Sequence, residues 1–270
     1  MTSTNLKLND KNFCLKKRLL NDSISGLGAA FTVSPIMKIV DISVTRGQSG
    51  KSSMFASVLE MTKDLFKSPH KFILSKNFAW IFNVYGSTYV ANNTIDSLCK
   101  VYNINDILPK LIGVTAINMS TSIAKDAAFA KYFGTKAPGK VPTSSLFIWF
   151  IRDVLAIAAA FLIPERLSKY MQNNMSYDKT NADRIAQFAS PVGLQAVFTP
   201  IHLLGLDFYN VNESKGSDRA KRIAKNYPKA LPLRFVRMAG AYGIGGLNNK
   251  SFRNYLHTKS EGSNWDKNYK

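Results

Sequence analysis

The sequence predicts an all-α fold: a six-transmembrane-helix bundle of three pseudo-threefold repeats. Three observations lead there. First, Asn77–Ile95 carries no charge, and Ile185–Leu206 is interrupted only by His202; each approaches the ~20 residues that a helix needs to cross a bilayer. Second, six long apolar segments fall into three pairs. Third, Pro232–Gly246 holds Arg234 and Arg237, followed by Gly240, Gly243 and Gly246 at helical spacing. Glycine costs about 1 kcal/mol relative to alanine inside a helix. Three on one stripe, beside arginine, suit a pore-lining membrane helix, where small residues let neighbours approach and arginine must face a wet interior.

In chain order, residues 1–22 are polar and basic and predict an exposed arm. They lack the apolar core of a cleaved leader, and Asp10 and Asp22 interrupt any transit peptide, so an organelle address is expected to be internal. Repeat 1 spans 23–102. Its first helix, Ser23–Val44, contains Pro35, which removes a hydrogen bond and kinks the rod. Arg46–Ser53 is a glycine/serine loop. Ser52–Lys67 alternates apolar and charged residues as an amphipathic surface helix, stopped by Ser68–Pro69. Phe72–Tyr102 is the second long helix.

Repeat 2 spans 105–172. Asn105–Phe133 is a helix, Thr135–Thr143 with Pro138, Gly139 and Pro142 a turn, and Ser144–Gln172 an apolar helix containing Ala156–Ala160. Asn173–Asp183 is a polar linker. Repeat 3 spans 185–256: Ile185–Tyr209 with Pro191 and Pro200, a basic amphipathic stretch Asn212–Lys229, and Arg234–Leu256. A polar tail, 257–270, ends the chain. Ser34-Pro35-Ile36, Thr121-Ser122-Ile123 and Thr199-Pro200-Ile201 occupy similar places in the first helix of each pair. Asn83, Arg152 and Arg237 each precede a small-residue stripe in the second.

Composition narrows the function. The 270 residues hold 36 basic against 17 acidic side chains, net +19, which suits nucleic acid, an anionic membrane surface or anionic solutes. The basic residues are spread along the chain and no groove-reading module is visible, so nucleic acid ranks below a membrane role. Cys14 and Cys99 give neither a disulfide framework nor a metal cluster, and no metal or cofactor is expected. Gly47-Gln-Ser-Gly50-Lys51-Ser52 imitates a phosphate-binding loop, but Thr45 stands where its first glycine belongs and no βαβ alternation follows. The competing reading is a plain loop after the first helix, and an enzyme is not expected.

The paired pattern resembles the mitochondrial carrier superfamily. Arg234-Phe-Val-Arg237-Met-Ala239-Gly240-Ala-Tyr-Gly243 is similar to that family's sixth-helix Arg-x-x-Arg-x-Ala-Pro-x-x-Ala pattern, and Ile151-Arg152-Asp153-Val154 to the fourth-helix Leu-Arg-Asp-Val. The Pro-x-Asp/Glu-x-x-Lys/Arg motifs are degenerate. Pro35 and Pro200 remain, Met37 and His202 replace the acids, Ser122 replaces the middle proline, and Asp41, Asp126 and Asp207 lie nearby out of register. The resemblance is thus to a divergent, fungal-type member. It implies a multi-pass protein of a mitochondrial membrane, inner rather than outer. It also implies a cavity where Asn83, Arg152, Asp153 and Arg237 bind substrate, with hinges at Pro35 and Pro200.

Arg152 and Arg237 would hold the anionic group of a small anionic or zwitterionic metabolite through the guanidinium fork, and Asp153 an amine. The competing reading makes them interhelical salt bridges or snorkelling arginines. His202 is either pH-sensitive or a hydrogen-bonded structural histidine. Arg219–Lys225 either binds an anionic lipid such as cardiolipin or forms a solvated face. The loss of the acidic gate leaves a second possibility, a non-transporting scaffold or complex subunit with protein partners.

Overall fold

The structure, a computed structural model, describes residues 3–134, 141–211 and 213–262, with the side chains of 3–14 and 157–162 left aside. Every element among the described residues is helical: α1 (Ser3–Gln48), α2 (Met54–Lys67), α3 (Pro69–Ile73), α4 (Lys76–Val101), α5 (Ile107–Phe133), α6 (Thr143–Met175), α7 (Lys179–Gly193), α8 (Gln195–Asn210), α9 (Gly216–Met238), a π-helical turn (Ala239–Gly245) and α10 (Gly246–Glu261). The all-α expectation holds.

Boundaries differ where tertiary partners extend a helix. The expected arm is the start of α1, and its residues Arg18, Asn21 and Asp22 are buried because ionic partners from the other end of the chain cover them. The expected tail is likewise helical as far as Glu261. Pro228 and Pro232 do not divide the third repeat; α9 runs through both. The Thr135–Thr143 turn falls largely outside the described residues, as do the side chains of most of Ala156–Ala160.

The glycine stripe is altered too. The segment Ala239–Gly245 is wound as a π-helix, whose wider turn takes residues three apart off a common α-helical stripe. A Cβ on Gly240 would press on the Met37 methyl at 2.7 Å, whereas one on Gly243 would meet the Phe188 ring at 3.8 Å. The glycines therefore serve different neighbours.

The residues form two compact units: Met1–Ser34, Trp80–Thr121 and Ile244–Lys270 in one, Pro35–Ala79 and Ser122–Gly243 in the other. Pro35 is the residue at which α1 changes unit.

The first unit is held by a buried polar web. Asp22 Oδ1 accepts from Arg253 Nε at 2.7 Å and lies 2.9 Å from His257 Nε2, while Arg253 Nη1 reaches Asp96 at 2.7 Å. Asn93 and Asn249 donate to one another at 2.8 and 2.9 Å. Arg18 pairs with Glu261 at 2.6 Å. Lys110 bonds Asp96 at 2.6 Å and also Asp106. Buried charges require such partners, since each unpaired one would cost several kcal/mol.

The second unit has the larger apolar core: Val40, Val44, Met54, Trp149, Leu203, Leu206 and Tyr209, with Ala130, Ala230 and Leu233. Trp149 is fully buried and its indole Nε1 donates to the His202 carbonyl at 3.4 Å. It fits because residue 205 is glycine, and any side chain there would overlap the indole.

Helix α2 lies on this unit as the amphipathic pattern predicts. Ser53 caps it by accepting from Ala56 N–H, Met54, Ser57 and Met61 are buried, and Phe55, Leu59 and Phe66 are exposed beside Lys63 and Lys67. Lys38 sends its ammonium to the Phe72 carbonyl and Ser75 Oγ, both at 2.8 Å, and so ties α1 to α3 and the turn that follows it.

Candidate functional site

Ionisable side chains from five helices meet inside the second unit. Helix α1 supplies Asp41, α5 the adjacent Lys125 and Asp126, α6 the adjacent Arg152 and Asp153, α8 His202, and α9 Arg234 and Arg237. Seven are tied directly. Lys125 Nζ lies 2.5 Å from Asp41 Oδ2 and 2.7 Å from Asp126 Oδ1. Arg152 reaches Asp126 through Nη1 at 2.8 Å and Asp153 through Nη2 at 2.8 Å. Arg237 Nε is 2.9 Å from Asp41 Oδ1.

Arg152 Nη1 also sits 2.6 Å from His202 Nδ1. A guanidinium only donates, so Nδ1 accepts and the imidazole proton sits on Nε2. His202 is therefore a hydrogen-bonded member of the cluster.

Arg234 differs from the others. It is 4 % exposed, no carboxylate lies within ion-pair distance of it among the described residues, and its Nε has no hydrogen-bond partner there. Its neighbours include the like charges Arg237 and Arg152, with Asp41 and Asp126 acting only at longer range. The cluster's three carboxylates are matched by Lys125, Arg152 and Arg237, which leaves Arg234 as the surplus cation. Asp153 has the complementary property: Arg152 occupies Oδ1, and Oδ2 is buried without a partner.

Of the residues expected to bind substrate, the structure brings Arg152, Asp153 and Arg237 together. Asn83 is exposed on α4 and belongs to the first unit, because the equivalence drawn between repeats aligned sequence positions and not helix faces. Arg152 and Arg237 are ion-paired within the protein, as the salt-bridge reading had it. Asp41, Lys125 and Asp126 were not expected here, and Arg234 was expected on the pore-lining helix but not among the substrate ligands. Their signal was charge inside apolar runs, Lys125-Asp126 near the end of α5 above all.

The hinge prolines lie inside helices, Pro35 in α1 and Pro200 in α8. Pro200 has no N–H for the Ala196 carbonyl, and Tyr227 Oη donates to that oxygen at 3.0 Å instead.

The basic run on α9 is partly used. Asp207 accepts from Arg219 at 2.8 Å and from Arg222 at 2.7 and 2.9 Å. Lys221 and Lys225 remain exposed. The phosphate-loop imitation is a turn closing α1, with Gly50 at φ +75° and no strand before it.

Three stretches are long and apolar enough to cross a membrane: Leu15–Gln48, Ile107–Phe133 and Lys179–Asn210. The chain is a multi-pass membrane protein of all-helical build. No curated protein matches it. The resemblance to the mitochondrial carrier superfamily is overturned, because a different family's model matches most of the chain. The motifs behind that resemblance were arginines set against small residues, which any bundle that buries cations between close helices requires. The mitochondrial address, inherited from the same resemblance, goes with it. The match covers residues 25–257, and the chain belongs to the family described as probable citrulline exporter.

Proposed function

We propose that the chain is an exporter of a small zwitterionic metabolite, and that the metabolite is an α-amino acid of the kind that the family's description names, citrulline. Arg234 carries this reading. A guanidinium that is buried beside two other arginines, with no carboxylate at ion-pair distance among the described residues, is costly unless an anion joins it. A substrate carboxylate supplies that anion through the bidentate fork. The free oxygen of Asp153 takes the α-ammonium. Arg152 then holds Asp153 in place, and Arg237, paired with Asp41, sets the local field; neither is the first contact of the substrate.

Six rods cross the membrane in this reading: α1, α4, α5, α6, α7 with α8, and α9 continued into α10. Transport needs no bond-making, so no enzyme activity or cofactor is assigned. Lys221 and Lys225 are left for an anionic lipid headgroup such as cardiolipin.

Efflux from proteoliposomes loaded with labelled citrulline tests the proposal. Wild-type protein releases label faster than protein-free vesicles, Arg234→Ala stops release, and Arg234→Lys keeps part of it. Release at the vesicle background, or full activity in Arg234→Ala, overturns it. The first of these outcomes would leave a membrane scaffold with protein partners as the surviving reading.

A further inference from the structure

Helix α8 brings His202 into the ionic cluster with one ring nitrogen already committed. Nδ1 accepts from Arg152 Nη1 at 2.6 Å and lies 3.7 Å from Asp126 Oδ2. The proton is therefore on Nε2, and Nε2–H has no acceptor among the described residues. The ring is held in this orientation from behind. The buried Trp149 indole stands 6.5 Å from it, centroid to centroid, tilted by 34°, and donates to the His202 carbonyl at 3.4 Å. The two nitrogens lie on different sides of an imidazole, so seating Nδ1 on Arg152 turns Nε2–H away from that guanidinium.

Arg152 also ties His202 to the other unused group of the cluster. Its Nε and Nη2 each lie 2.8 Å from Asp153 Oδ1, while its Nη1 holds the imidazole. A single planar guanidinium thus links an acceptor, the partnerless Asp153 Oδ2, to a donor, His202 Nε2–H. Arg234 is the charged side chain that acts most strongly on the imidazole, and its own Nε is unpartnered. An acceptor for an ammonium, with a neutral donor and a surplus guanidinium for a carboxylate, complements the two ends of an α-amino acid.

We propose that His202 is a substrate-binding residue, and that its Nε2–H donates to the carboxylate with which Arg234 pairs. This rests on the transport reading above. The donor is useful because it is neutral. Lys125, Arg152, Arg234 and Arg237 already exceed the three carboxylates by one charge, which a substrate carboxylate offsets while Asp153 receives the ammonium. An imidazolium would add a second surplus cation and would take from Arg152 the acceptor that it uses. As a neutral donor the imidazole supplies direction without charge. Together with Arg234 it fixes one orientation of the carboxylate, and so of the α-carbon between it and Asp153.

Two amide substitutions separate the ring nitrogens. Asparagine reaches only as far as Nδ1, so His202→Asn keeps an acceptor for Arg152 and loses the outer donor. Glutamine reaches Nε2, so His202→Gln keeps the outer donor and loses the acceptor. The experiment measures initial efflux from liposomes holding full-length protein against the citrulline concentration loaded. His202→Asn raises the half-saturating concentration about tenfold, for one lost hydrogen bond to a charged group, and leaves the maximal rate unchanged. His202→Gln stays close to wild type. A histidine that served only Arg152 would give the reverse order. Half-saturation at the wild-type value in His202→Asn, or equal impairment in the two variants, overturns the assignment while leaving transport intact. No citrulline flux by wild type overturns the transport reading and the assignment with it.

Discussion

Lys125 Nζ lies 2.5 Å from Asp41 Oδ2, across 84 residues of chain, and both side chains are buried. The pair joins α1 to α5, and the other oxygen of the same carboxylate lies 2.9 Å from Arg237 Nε on α9, an ion pair. Asp41 is thus the anion shared by two cations. Asp41→Ala takes a buried counter-charge from both, although Lys125 keeps Asp126, whereas Lys125→Ala leaves Asp41 still paired with Arg237. The expected loss of stability is about 3–5 kcal/mol for Asp41→Ala and clearly less for Lys125→Ala. Thermal unfolding of the detergent-purified variants checks the order; equal losses would mean that the two pairs are not energetically shared.

Pro200 and Tyr227 make a repair that a double-mutant cycle can isolate. Tyr227→Phe removes the hydroxyl from the Ala196 carbonyl and is expected to cost about 1–3 kcal/mol. Pro200→Ala restores an N–H to that carbonyl. The double variant should therefore lose much less than Tyr227→Phe alone. Additive effects of the two substitutions would show that the hydroxyl does not replace the proline's missing donor.

In the first unit, Asn93 and Asn249 hold each other through two reciprocal bonds. Alanine at either position leaves the partner amide buried without its mate, so each single variant is expected to cost about 1–3 kcal/mol. Leucine at both positions should recover part of the loss. Hydrogen exchange should report the weakening in the α4 and α10 segments; unchanged protection there would remove the pair from the set of structural bonds.

Gly205 has no room for a side chain against the Trp149 indole. Gly205→Ala is expected to destabilise the second unit by about 1–3 kcal/mol through overpacking. Trp149→Phe, which shortens the ring system, should relieve the strain in the double variant. Folded yield and melting temperature measure both effects, and a Gly205→Ala protein as stable as wild type would contradict the close approach.

Helix class and most helix positions were open to reading from the sequence, because apolar runs and charge-free spans are local properties. Arg234, Arg237 and Arg152 stood out for the same reason: a charge inside an apolar run is visible without coordinates. The amphipathic α2 was equally plain. The family was not, since short arginine-and-glycine patterns arise wherever helices pack closely around buried cations.

What the sequence alone determined is that this chain forms apolar helices that carry arginine and aspartate inside them. Which cation meets which anion was decided only by tertiary structure. Partners such as Asp41 and Lys125, or Asp126 and Arg152, stand on different helices, and their meeting depends on how each rod is rotated about its axis. That rotation comes from packing, for instance Trp149 seated on Gly205, and not from spacing along the chain. The same rotation left Arg234, rather than the expected Arg152 and Arg237, as the cluster's cation with no carboxylate at ion-pair distance among the described residues.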